Sequence, residues 1–342
     1  MAAPTAPRTE LDVRREPGKP AILHTPELST MDEAREWIAA NLTGIRTELL
    51  RSGALMLRGL PVATAEDFAA ARDLLMPTRA SYKEKATPRT DFGAGVFSST
   101  DLPAVQPIRL HNENSYTLDF PGTLLFGCLI APTAGGATTV GDMRAALAKL
   151  PADLRDRFAA HGWLLVRNYS EMAGLPWHTS FATDDKAVTE AYCRDHTIGY
   201  QWVDEDSFRT GQVRSAIITH PVTGEQVWFN HVAFWNQWTL DPDVREVLID
   251  TYGADGLPFN TYLGDGTALT EDEVATLNRV YDEVTVRESW QVGDLMLVDN
   301  ILNAHGRDAF EGDRKIVVAM GDPIPLADCA PTAAPAAMAF GE

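Results

Sequence analysis

The hydrophobic positions of the chain fall into two textures. Before residue 80 the apolar residues recur at helical spacing. Trp37, Ile38, Leu42, Ile45 and Leu49 mark one face of a helix. Thr30-Met31-Asp32-Glu33 supplies a capping box at its start and Gly53 a stop at its end. Residues 54–58 read as a short apolar strand, and residues 64–76 as a second amphipathic helix halted before Pro77. From Phe97 onward, short apolar runs alternate with Gly, Pro, Asp and Asn. Residues 124–130, 163–167, 214–220, 226–229, 285–290, 295–299 and 315–320 are predicted strands. Helices interrupt them: residues 142–150 continuing towards Phe158, a segment opened by Asp241-Pro242-Asp243, and residues 271–284.

Many short strands with inserted helices predict a mainly β fold, an antiparallel double-sheet barrel with helical decoration. No G-x-G-x-x-G or Walker loop follows a strand, so the pattern is not that of a dinucleotide-binding fold. Residues 1–20, rich in Pro, Ala and charge, read as a flexible arm. Residues 21–324 read as one domain, and the Ala- and Pro-rich residues 325–342 as a disordered tail.

Charge narrows the function. The chain carries 29 Lys and Arg against 48 Asp and Glu, a formal charge of −19, and no dense basic run. Binding a polyanion is driven by Lys and Arg displacing counterions, so nucleic acid and an anionic membrane surface are not expected partners. Cys128, Cys193 and Cys329 are far apart and odd in number. They form neither a disulfide framework nor a C-x-x-C site, and read as reduced cysteines of a cytoplasmic protein. The first fifteen residues hold no apolar core of a signal peptide, and the longest apolar-rich stretch, residues 122–132, is too short to span a bilayer.

The candidate chemistry starts at Leu110-His111-Asn112-Glu113. In a strand, positions i and i+2 point to one face, so His111 and Glu113 can reach one metal ion. That is one edge of a 2-His-1-carboxylate triad, which holds Fe(II) and leaves open positions. The third ligand must come from elsewhere. His305 follows the buried-strand pattern of residues 294–300 and precedes Gly306-Arg307 and Arg314. A turn histidine is the alternative reading of His305.

These residues, in this order, resemble the taurine dioxygenase and clavaminate synthase-like group of Fe(II)/2-oxoglutarate oxygenases, and within it the branch of the syringomycin aspartate hydroxylase. The resemblance runs from Gly53-Ala54-Leu55-Met56-Leu57-Arg58-Gly59-Leu60 through Phe97-Ser98-Ser99-Thr100, the His111 segment up to Tyr116, Pro132 and Gly135-Gly136-Ala137-Thr138, to His305-Gly306-Arg307 and Arg314-Lys315-Ile316. It implies a double-stranded β-helix core (a jelly roll, cupin-like), with His111, Glu113 and His305 as iron ligands. It further implies that Thr138 hydrogen-bonds 2-oxoglutarate and that Arg314 pairs with its distal carboxylate. A planar guanidinium grips a carboxylate with two parallel hydrogen bonds, which suits Arg314 to that role, and Arg307 is its rival. The implied reaction consumes O2 and releases succinate and CO2. Glu113 favours hydroxylation over halogenation, because related halogenases lack this carboxylate; desaturation, cyclisation and epoxidation use the same ligands. The expected substrate is an amino acid or a metabolite made from one, free or tethered to a carrier protein, in the biosynthesis of antibiotics or other secondary metabolites. Ser99, Asn114, Ser115, Tyr116, Asn230 and His231 are the candidate substrate contacts, with Asp101 and the aromatic residues Phe234, Trp235 and Trp238 nearby. A zinc hydrolase and a metal-free jelly-roll binding module are the competing classes. The zinc reading lacks an H-E-x-x-H helix and leaves Arg314 and the G-G-x-T element without a task.

Overall fold

The computed structural model describes residues 11–80, 84–87, 89–170 and 174–340. The first ten residues of the expected arm and the last two of the expected tail lie outside the described residues.

The main sheet has seven strands in the order Val13–Arg14, Ala21–His24, Ala54–Arg58, Leu295–Asp299, Asp119–Ile130, Lys315–Pro325 and Phe97–Ser98. Among the described residues only Ala21–His24 and Ala54–Arg58 pair in parallel. A smaller sheet of four strands, Thr285–Val286, Thr138–Asp142, Asn303–Arg307 and Ile108–His111, faces it. Side chains alternate across the main sheet as the strand period requires. Met56, Phe126, Met296, Val298, Ile316 and Val318 face the small sheet and pack with Val140 and Trp290. Leu55, Leu57, Leu125, Leu295, Leu297 and Val317 face the other way. There they meet Ile38, Ile45 and Leu49 of the helix Met31–Ser52, and Phe68, Ala71 and Leu75 of the helix Ala65–Leu75. Both helices begin in capping boxes, the one expected at Thr30 and a second at Thr64. The two facing sheets are the predicted jelly roll. A third sheet, Gly199–Trp202, Phe208–Arg214, Trp163–Tyr169 and Phe259–Leu263, extends the structure.

Several boundaries depart from the sequence reading. The helix expected to continue from residue 142 to 158 divides into Met143–Lys149 and Ala152–His161. Leu150 is extended because Pro151 follows it, and proline disfavours helical geometry in the preceding residue. The strand expected over residues 214–220 breaks after Arg214. The Ser215 hydroxyl donates to the Ile217 carbonyl at 2.6 Å, and the chain resumes as the hairpin Ile217–Thr219 with Gln226–Trp228. The strand expected over residues 285–290 covers only Thr285–Val286.

Both ends are more ordered than their composition implied. Val13–Arg14 pairs with Ile22 and Leu23, which brings part of the expected arm into the sheet. At the other end, Leu326–Cys329 forms a 3-10 turn with Leu326 and Cys329 buried, and Ala336–Ala337 pairs with Gln212 and Val213. Small residues make this docking possible. Met338 lies directly on Gly199 and Gly211, where a Cβ would stand 1.8 and 2.6 Å from its atoms. The Ala- and Pro-rich tail reads as unstructured in sequence, yet the two glycines beneath it let its backbone approach closely. Among the described residues no helix is long and apolar enough to cross a membrane.

Candidate active site

His305 lies within Asn303–Arg307, a strand that the sequence reading stopped short of, and its register partner is His111. The two imidazoles therefore face each other across one strand pair, with ring centroids 4.5 Å apart. Pairing slips between His305 and Arg307, so two residues of the Ile108–His111 strand oppose Gly306 alone. Such a bulge re-aims side chains beside it. Gly306 makes it possible, since a Cβ there would stand 2.4 Å from the Ile108 carbonyl oxygen.

Glu113 reaches the same point by a different route from the strand alternation first inferred. The strand ends at His111, and residues 113–116 form a turn. Asn300 holds that turn. Its Oδ1 accepts from the Glu113 amide at 2.7 Å, and its Nδ2 donates to the carbonyls of Glu113 and Pro121 at 2.9 and 2.7 Å. The Asn112 side chain donates back to the Asn300 carbonyl at 2.8 Å. A ligating atom from each of His111, Glu113 and His305 lies within 4.8 Å of the others, and all three residues are buried.

The donor set fits a metal ion. Burial holds His111 below the ordinary histidine range and His305 well below it. Both are thereby kept as neutral imidazoles, the form that ligates. The His111 Nδ1 sits 2.9 Å from the Arg109 carbonyl, which fixes its proton there and leaves Nε2 as the ligand atom. The His305 Nδ1 is buried with no hydrogen-bond partner among the described residues.

The triad opens into a cavity. Arg314 enters from the strand edge at Lys315–Pro325. Its Nε donates to the Gly136 carbonyl at 2.9 Å and its Nη1 to the Ser99 hydroxyl at 3.1 Å. Its Nη2 lies 3.5 Å from the Thr138 hydroxyl, which also receives the Trp290 indole N–H at 3.3 Å. Burial, and then the charge of Arg307, push the Arg314 guanidinium down to about 10. An anion entering beside it relieves that destabilisation. Arg307 lines the cavity too, but its guanidinium donates to the carbonyls of Leu102, Pro103 and Gln106, at 3.2, 2.7 and 2.7 Å.

The other anticipated contacts divide. Ser99, Tyr116 and His231 line the cavity. Tyr116 points its hydroxyl at the Glu84 carbonyl and Asn114 Oδ1. His231 stacks on Trp235 with centroids 4.2 Å apart, and its Nδ1 is 2.7 Å from the Ser115 hydroxyl. Burial holds His231 well below the ordinary histidine range. Asn114, Ser115 and Asn230 are not among the described residues of the cavity wall. Asn230 accepts from the Val232 amide and donates to the Ala216 carbonyl, an internal role. Phe234 and Trp235 supply the apolar wall, and Phe234 stacks on His111 at 4.6 Å. Two contributors escaped the sequence reading. Asn300 looked like the end of a strand. Arg89 lies in an aperiodic loop with no local signal, yet it lines the cavity and its Nη2 is 2.9 Å from Glu113 Oε2.

A facing pair of sheets with a buried His-Glu-His cluster at the mouth of the small one defines a non-haem metal oxygenase of the jelly-roll class. Residues 22–320 match the family described as taurine catabolism dioxygenase TauD, TfdA family, and the chain belongs to that family. It is a non-haem dioxygenase dependent on Fe(II) and 2-oxoglutarate. Among relatives, the dapdiamide synthesis protein DdaC of Enterobacter agglomerans is 32% identical over 276 residues, covering 81% of this chain and 84% of its own. A clavaminate synthase-like protein of Arabidopsis thaliana is 30% identical over 285 residues, covering 80% and 82%. The crystal structure of a taurine dioxygenase from Burkholderia xenovorans superposes with a TM-score of 0.53, at 18% identity, covering 97% of this chain and 95% of that one. Membership of this family displaces the zinc-hydrolase and metal-free alternatives.

Proposed function

We propose that this dioxygenase hydroxylates an unactivated C–H bond of an amino acid or amino-acid-derived metabolite in antibiotic or other secondary-metabolite biosynthesis. The overall change consumes one O2 and one 2-oxoglutarate, inserts one oxygen into the substrate and releases succinate and CO2. Iron and 2-oxoglutarate supply the oxidising chemistry when bound. His111, Glu113 and His305 would hold the metal. Arg314 would grip the distal carboxylate of 2-oxoglutarate, with Thr138 adding a hydroxyl contact. The carrying observation is that these groups line one cavity, with the three ligating residues clustered within 4.8 Å.

The chain's own residues then bind, orient and exclude water. Ser99 and the Gly136 carbonyl hold Arg314 in place, so less freedom is lost when the carboxylate arrives. Phe126, Phe234 and Trp235 form an apolar wall that keeps water from the reacting centre. The Asn300 clamp sets the position of Glu113. Ser99, Tyr116 and His231 are the proposed substrate contacts on this wall. The Enterobacter relative's role in dapdiamide synthesis supports a biosynthetic setting. Retention of Glu113 as a ligand supports hydroxylation over halogenation. Three buried free cysteines support a cytoplasmic location.

The test is anaerobic titration of Fe(II) and 2-oxoglutarate into metal-free protein, watching the weak visible charge-transfer band of the chelate. The expected result is a band that His111→Ala abolishes. Tight zinc binding with no band in the wild type would sink the ligand assignment. Product analysis with a turned-over substrate then separates hydroxylation from desaturation, cyclisation or epoxidation.

A further inference from the structure

We infer that Arg58 and Trp290 are positioning residues for 2-oxoglutarate. Arg58 fixes the segment 288–294, and Trp290, carried on that segment, sets the Thr138 hydroxyl as a donor to the carboxylate of the co-substrate. This rests on the reading of Thr138 and Arg314 given above and extends it to two residues that are not among those of the cavity wall.

A threonine hydroxyl carries one proton and two lone pairs. The hydrogen-bond partners of the Thr138 hydroxyl among the described residues are both donors. The Trp290 indole N–H reaches Oγ1 at 3.3 Å, and the Arg314 Nη2 lies 3.5 Å from it. Two N–H groups occupy the two lone pairs, so the hydroxyl proton is left to donate. Thr138 is 2% exposed and lines the cavity, so that proton meets a cavity occupant rather than bulk water. An ionised carboxylate only accepts hydrogen bonds. The hydroxyl and the guanidinium beside it thus present donors to one place, which suits a carboxylate and disfavours an occupant that brings a donor of its own. A hydroxyl that accepts is also polarised into a stronger donor.

Trp290 can hold this geometry because its own place is fixed. Its ring is buried in the cluster that contains Met56, Val140 and Ile316. The segment that carries it is gripped from the end of the strand Ala54–Arg58. Arg58 donates through Nε to both Asp294 carboxylate oxygens, at 3.1 and 3.2 Å, and through Nη2 to Asp294 Oδ2 at 2.8 Å. Its Nη1 reaches Glu288 Oε1 at 3.1 Å, and its Nη2 reaches the Ser289 carbonyl at 2.8 Å, one residue before Trp290. Asp294 in turn accepts from the Gln291 amide at 2.9 Å, one residue after Trp290. One planar fork therefore brackets Trp290 on both sides. A lysine ammonium, a point charge without the fork, cannot make the same set of contacts. Arg58 closes the apolar-strand motif of residues 53–60, and this grip gives that motif a task in the site.

The experiment titrates 2-oxoglutarate anaerobically into the whole chain loaded with Fe(II) and reads its Kd from the charge-transfer band. Fe(II) affinity is measured separately by calorimetry. The variants are Thr138→Val, Trp290→Phe, Arg58→Lys, and the two double variants that combine Thr138→Val with each of the others. Trp290→Phe removes the N–H and keeps an aromatic ring. Thr138→Val is expected to weaken 2-oxoglutarate about tenfold, and Trp290→Phe and Arg58→Lys about threefold or more. Neither double variant should bind more weakly than Thr138→Val alone, because both residues act through the one hydroxyl. Fe(II) affinity should be unchanged throughout, which a general loosening of the fold would not leave intact. Unchanged 2-oxoglutarate binding by Trp290→Phe or by Arg58→Lys, penalties that multiply in the double variants, or an equal loss of Fe(II) affinity would each overturn the inference. Should Trp290→Phe not fold, Arg58→Lys with and without Thr138→Val decides alone. A wild type without a band is a failure of the cofactor assignment, and full 2-oxoglutarate affinity in Thr138→Val is a failure of the Thr138 reading; both take this inference with them. A loss in Thr138→Val that neither Trp290→Phe nor Arg58→Lys reproduces is a failure of this inference alone.

Discussion

Arg307 and Arg314 line the same cavity and differ in what their donors already hold. Arg307 has three backbone carbonyls, whereas Arg314 has one carbonyl and two hydroxyls, which a carboxylate can outbid. Arg314→Ala is expected to raise the apparent KM for 2-oxoglutarate by at least about tenfold, since it removes ground-state binding. Arg307→Ala is expected to lower thermal stability, because three carbonyls lose their donor. Steady-state kinetics and a melting curve on both variants decide this; if the KM effect follows Arg307 instead, the carboxylate assignment is reversed. Asn300 offers a second test at this scale. Asn300→Asp keeps the shape but replaces the donor that serves the Glu113 and Pro121 carbonyls. Each buried carbonyl so stranded costs about 1–3 kcal/mol, so the variant should melt earlier and bind Fe(II) more weakly by calorimetric titration. Unaltered metal affinity would leave Asn300 a structural residue only.

At the scale of elements, the sequence was most legible where local chemistry decides the outcome. The capping box expected at Thr30 forms, and the apolar strands 54–58 and 295–299 have the bounds expected. It was least legible where a distant partner decides. Asn303–Arg307 has mixed polarity and two small residues, and becomes a strand because Thr138–Asp142 and Ile108–His111 flank it. The candidate ligands were visible as residue types, but the reason Glu113 reaches His305 lies in Asn300, which no local pattern connects to it. The C-terminal segment shows the same limit. Removing residues 326–342 takes away buried Leu326, Cys329 and Ala333 and the pairing of Ala336–Ala337. Apolar burial of that size contributes roughly 3–6 kcal/mol. The truncated protein should melt about 5–10 °C lower in a calorimetric scan; an unchanged Tm would mean that the segment adds no net stability.

Across the whole molecule, the proposed metal site joins parts that the chain keeps far apart. His111 and His305 come from two strands of the small sheet. Glu113 is tied through Asn300 to the turn that leaves the main-sheet strand Leu295–Asp299. A ligand that binds only the folded arrangement stabilises it by mass action, about 2.7 kcal/mol at a hundred times its Kd. Burial has already kept His111 and His305 neutral, so a metal meets little competition from protons at neutral pH. Two neutral rings and one carboxylate packed this closely also leave the metal-free site with unmet polar capacity, including the orphaned Nδ1 of His305. Fe(II) under anaerobic conditions should therefore raise the Tm of the whole chain by several degrees, and 2-oxoglutarate should add a further increment only when metal is present. In Arg314→Ala the metal increment should persist while the 2-oxoglutarate increment shrinks. In His111→Ala both should vanish. An increment from 2-oxoglutarate without metal would place its binding elsewhere on the molecule, because in this cavity the metal and Arg314 hold opposite ends of one small dianion.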